Sequence, residues 1–142
     1  MADGCAIGVE RATDVAQLRN LSIPVATPLI VPVSADTKSR GTAGMIEVTG
    51  SFTQTGKVTV HPLGRLWHGV APILKLAKNC VGTLDIANFE LGVPLGKFRT
   101  PAAGDSKADW PKDLRLEVRD GEDGSQLLCL VSDMPGLLLI VR

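Results

Sequence analysis

The stretch at residues 113–131, DLRLEVRDGEDGSQLLCLV, constrains the fold more than any other part of the chain. Leu114, Leu116 and Val118 alternate with Arg115, Glu117 and Arg119, the period-two pattern of a half-buried strand. The Asp-Gly-Glu-Asp-Gly turn at 120–124 is built from residues that tolerate positive φ, and an apolar run returns from it. Such a hairpin is apolar on one face and charged on the other, as in an antiparallel sheet wetted on one side. The pattern predicts an all-β chain: an antiparallel β-sandwich or small barrel, jelly-roll-like connections included. An extended N-terminal arm and at most one or two short helices complete that expectation.

Further strands follow the same logic. Ile46, Val48 and Phe52 alternate with Glu47, Thr49 and Ser51, and the 53–56 turn leads back through Val58 and Val60, which reads as a second hairpin. Gly50 takes an inward position there and marks a bulge. The segment at 72–79 suits a strand better than a helix, and 81–91 reads as a strand broken near Asn88. Asp14 and Gln17 have the spacing of a helix cap, so 14–20 is expected to form a short helix. No internal repeat is read from the sequence. Roughly seven to nine strands with frequent turns suit a sandwich or barrel. At 142 residues this is one β domain, expected over 34–142, preceded by an N-terminal segment and arm over 1–33.

That arm is expected because Pro24, Pro28 and Pro32 recur at every fourth position between residues 23 and 33. Prolines remove ladder donors, so the segment reads as an extended arm laid on its own sheet or on a neighbour, with an edge strand plus loop as the alternative. Val25, Leu29, Ile30 and Val31 supply its apolar surface. At the other end, residues 137–141 are apolar at every position, which predicts a strand covered on both faces, within the domain or at a subunit boundary.

Charge narrows the partners. Fifteen Lys and Arg balance fifteen Asp and Glu, with no basic excess to neutralise phosphates, so direct nucleic-acid binding is not expected. Tyrosine is absent, and three Phe and two Trp leave little for a stacking platform. The first eight residues lack a basic region and an apolar core for a signal peptide, and no apolar run reaches the length of a membrane span. Cys5, Cys80 and Cys129 are odd in number and widely spaced, which argues against a disulfide framework. Cytoplasmic synthesis without membrane association is expected, with the virion as an alternative destination.

The chemistry-bearing residues form no recognisable catalytic set. His61 and His68 are the only histidines, and His61 is expected to face solvent. Asp85 and Glu90 fall on opposite faces of one strand; Asp120, Glu122, Asp123 and Asp133 read as a solvated turn rather than a calcium loop. No metal, cofactor or catalytic residue is therefore assigned. The expected function is a non-enzymatic structural protein acting through subunit contacts, such as a coat, capsid-stabilising cement or decoration, or tail component of a virus particle. It would be a homo-oligomer whose partners are itself and other shell proteins. Candidate interface residues are Val25, Leu29, Ile30, Val31, Leu137 and Leu139; Arg115, Glu117 and Arg119 read first as a solvated face and, as interface residues instead, as mixed charges that set the register of a partner strand or subunit. The alternative is a monomeric small-ligand-binding β-barrel module with its pocket near Trp67, His68 and Trp110.

Overall fold

The structure, a computed structural model, describes residues 6–24, 27–34, 42–64, 69–93 and 113–132. They are mostly β-strand, arranged in two sheets about one apolar core. In chain order the strands are β1 (Ile7–Gly8), β2 (Val15–Ile23), β3 (Leu29–Ser34), β4 (Thr42–Ala43), β5 (Met45–Gln54), β6 (Val58–Leu63), β7 (Gly69–Leu76), β8 (Phe89–Leu91), β9 (Arg115–Asp120) and β10 (Gln126–Ser132). Sheet 1 has the order β1-β3-β6-β8, with β4 also paired to β3; sheet 2 has the order β2-β5-β7-β10-β9.

Up to β8 the chain alternates between the sheets, β4 excepted, and each return adds a strand parallel to the one before. Pairs β1–β3, β3–β6, β6–β8, β2–β5 and β5–β7 are all parallel. This is the path of a short parallel solenoid, each coil contributing one strand to each sheet. Leu29 pairs with Val60 and Val60 with Leu91, so successive coils of sheet 1 are offset by 31 residues. The all-β class therefore holds, while among the described residues antiparallel pairing is confined to β3–β4, β7–β10 and β9–β10.

The second expected hairpin is a corner instead. Strands β5 and β6 lie in different sheets, and Thr55–Gly56–Lys57 carries the chain between them, with Gly56 at φ 81°. The corner is held by its neighbouring coils: Thr55 N donates to Ile23 O, and Gln54 Nε2 donates to Asn88 O. The expected helix at 14–20 is strand β2. Ala16 and Leu18 pack on the core, Arg19 and Asn20 are both exposed, and Leu21 and Ile23 then return inward. That slip faces Gly50, where the β2–β5 register shifts by one residue of β5, the bulge expected from the sequence. A Cβ at Gly50 would lie 2.6 Å from Arg19 O.

The expected separate arm is also corrected over part of its length. Leu29, Ile30 and Val31 belong to β3, which sits between β1 and β6 and is buried from Leu29 through Val33. The boundary expected between residues 33 and 34 thus falls inside a strand. Pro32 is tolerated because it lies beyond the β1 pairing, which ends at Ile30, and its carbonyl accepts from Gly44 N, so its nitrogen faces that same side and not the ladder with β6. Strand β7 ends at Leu76, in line with the strand reading of 72–79, whereas 81–91 resolves into a bridge at Val81, a single 3-10 turn (Ile86–Asn88) and β8.

The core lies between the sheets. Leu29, Val31, Val58 and Val60 from sheet 1 meet Ile46, Val48, Ile73, Leu74, Leu76, Leu128 and Leu130 from sheet 2. Gln126 is the polar member at one end. Its side-chain oxygen accepts from Leu84 N at 2.9 Å and its amide donates to Gly82 O at 3.2 Å, pairing backbone groups where the chain leaves the ladder.

Candidate interaction surface on sheet 2

Sheet 2 presents a polar row on its outer face, set by strand register. Gln17 pairs with Glu47, Glu47 with Lys75, Lys75 with Leu127, and Leu127 with Arg119. Gln17 Nε2 donates to Glu47 Oε1 at 2.8 Å, Lys75 Nζ lies 3.6 Å from Glu47 Oε2, and the same ammonium is 3.1 Å from Asp123 Oδ2. The coils thus stack unlike polar groups on one another, the cross-strand pairing that favours a single register.

At one end of this row, β9 brings the three expected charged residues together. Glu117 accepts from Arg115 Nε at 2.7 Å through one carboxylate oxygen, and from Arg119 Nη2 at 2.8 Å and Nε at 3.0 Å through the other. Hydrogen bonds from Arg119 first, then from Arg115, hold the Glu117 carboxyl below its ordinary value. Arg115 also lies 3.7 Å from Asp113. On the reverse side of β9, Leu114, Leu116 and Val118 are partly buried against the core.

At the other end lies β2, which exposes Val15, Gln17, Arg19, Asn20 and Ser22. Val15 is 59% exposed, and β5 is the one strand paired with β2 among the described residues. This edge was absent from the expected interface because its phase slip hides the strand alternation. The apolar positions 16, 18, 21 and 23 were the available signal.

Leu29, Ile30 and Val31 are buried within this chain, so they do not form a free docking surface. Val25, Leu137 and Leu139 lie outside the described residues, as do Trp67, His68 and Trp110 near the alternative pocket. His61, expected to face solvent, is 7% exposed. Its Nδ1 is 2.9 Å from Val93 O, and its ring lies against Gly92, where a Cβ would come within 2.5 Å of Cε1. Asp85 caps the 3-10 turn through Ala87 N, while Glu90 accepts from the Thr59 hydroxyl, so the two carboxylates serve separate local contacts. Asp123 accepts from the Ser125 hydroxyl and pairs with Lys75. Among the described residues no group of three or more His, Cys, Asp or Glu could hold a metal, and no helix is long and apolar enough to cross a membrane. Cys129 is buried, and that burial pushes its thiol pKa up.

No protein-family model, curated protein or solved structure matches this chain.

Proposed function

We propose that this chain is a non-enzymatic structural protein working through subunit contacts, in a role such as virus coat, capsid-stabilising cement or decoration, or tail component. The exposed β2 end of sheet 2 carries the reading. Natural sheet edges are commonly shortened, or guarded by lysine, proline or inward-pointing charge. Strand β2 runs nine residues with neither lysine nor proline, and its inward positions are Ala16, Leu18, Leu21 and Ile23. The extra residue of the β2–β5 bulge, at Gly50, belongs to β5, so β2 carries no bulge of its own. Solenoids need a cap at each end to remain apart in solution. Among the described residues no strand pairs with the outer edge of β2.

The virus-particle class follows by analogy of architecture. Assembly itself is tested by sedimentation velocity over a concentration series of the full chain. A mass that rises with concentration is expected; a single monomeric species at every concentration would overturn the reading.

A further inference from the structure

We infer that copies of this chain stack head to tail, with the β9 edge of one copy adding in parallel to the β2 edge of the next. The inference rests on the assembly reading and names the partner as a second copy. Its basis is the direction of β2 and β9, the two terminal strands of sheet 2 among the described residues. Strand β10 is antiparallel to both β7 and β9, so β9 runs in the same direction as β7, β5 and β2. A copy moved along the stack, with the rotation that sheet twist adds, therefore presents β2 to β9 in the orientation that β2 already presents to β5. The sheet continues through the junction.

The side chains at the two ends complement one another. Leu116 and Val118 at the β9 end, and Ala16 and Leu18 at the β2 end, are each only partly buried against the core. Continuing the register from Ala16 through Ile46, Leu74 and Leu128 to Val118 places Val118 beside Ala16 of the next copy. On the outer face it places Arg119 beside Gln17 of the next copy. Each unfinished apolar layer is thereby completed by the other. A symmetric β2–β2 dimer is less favourable, because pairing the nine-residue strand about its midpoint sets Arg19 against Arg19, like charges directly opposite. A head-to-tail contact does not close on itself and yields a fibre.

Cysteine pairing tests the arrangement. Adjacent strands are about 4.8 Å apart, within disulfide reach for residues placed side by side. Gln17→Cys and Arg119→Cys are made separately and together in a full chain carrying Cys5→Ser and Cys80→Ser, with folding checked by circular dichroism. Under mild oxidation, a mixture of the single variants should give a disulfide dimer joining one of each. The double variant should give a ladder of multimers. Self-linked Gln17→Cys dimers without the mixed product would overturn head-to-tail stacking and leave assembly standing. Absence of the mixed product in a chain that still oligomerises would do the same; its absence in a chain that remains monomeric would overturn both readings. Axial spacing in particles of the unsubstituted chain gives a second test that needs no variant.

Discussion

The Lys75 ammonium lies 3.1 Å from the Asp123 carboxylate and ties β7 to the β9–β10 turn. Asp123 is held well below the usual carboxylate range, chiefly by the Ser125 hydroxyl and then by Lys75; Lys75 is raised, chiefly by its hydrogen bond to Asp123. Because the folded Asp123 value is depressed, its stabilisation is complete above the unfolded carboxyl value of about 4 and is lost as pH falls through the folded value. Lys75 has the opposite sign: its contribution is complete below the ordinary lysine value and is lost as pH rises through the raised one. The turn is therefore held across neutral pH. An NMR titration should find the Asp123 midpoint below the ordinary range, with Ser125→Ala raising it more than Lys75→Met. An ordinary midpoint in the unsubstituted protein would contradict this picture.

Deleting residues 1–33 removes β1, β2 and nearly all of β3, including the buried Ile23, Leu29, Ile30, Val31 and Val33. The remaining chain should show no cooperative thermal transition. A separable arm would instead leave a β-rich domain with a sharp melt, readily distinguished by circular dichroism.

The hairpin of β9 and β10 was legible because its partners are close in sequence, its alternation is unbroken and its turn chemistry is local. The solenoid was not. Its pairings join residues about a coil apart, and a short Gly-containing turn such as Thr55–Gly56–Lys57 can form either a hairpin or a corner between sheets. One faint repeat signal existed: Pro-Leu-Gly recurs at 62–64 and 94–96, close to the coil length. Alternation correctly separated His61 from the inward Val60, but facing away from the core did not mean facing solvent once the ring lay over Gly92. On sheet 2, the alternation put Arg115, Glu117 and Arg119 on one face of a strand, whereas the phase slip at Arg19 and Asn20 hid β2 behind a helix-like spacing.

Gly82 holds φ 134°, and a Cβ there would sit 2.5 Å from Phe52 O in the neighbouring coil. Gly82→Ala should cost about 1–3 kcal/mol of unfolding free energy, from backbone strain and the forced shift against β5. Urea denaturation measures it; a variant within error of the parent would show that this junction relaxes freely.

Gln126 satisfies both Leu84 N and Gly82 O. Gln126→Leu keeps similar bulk and deprives both backbone groups of that partner, so about 1–3 kcal/mol should be lost. Hydrogen exchange at the Leu84 amide gives the local readout and should accelerate more than exchange within β7. Equal protection in variant and parent would show that the glutamine is dispensable there.

Electron cryomicroscopy of the concentrated full chain tests head-to-tail assembly most directly. Among the described residues sheet 2 has five strands, so continuous stacking of these gives filaments with an axial rise of about 24 Å at ordinary strand spacing. Filaments with that rise, and with strands perpendicular to the filament axis, are the expected result; dispersed monomers, closed two-fold dimers or filaments with an unrelated rise would contradict it.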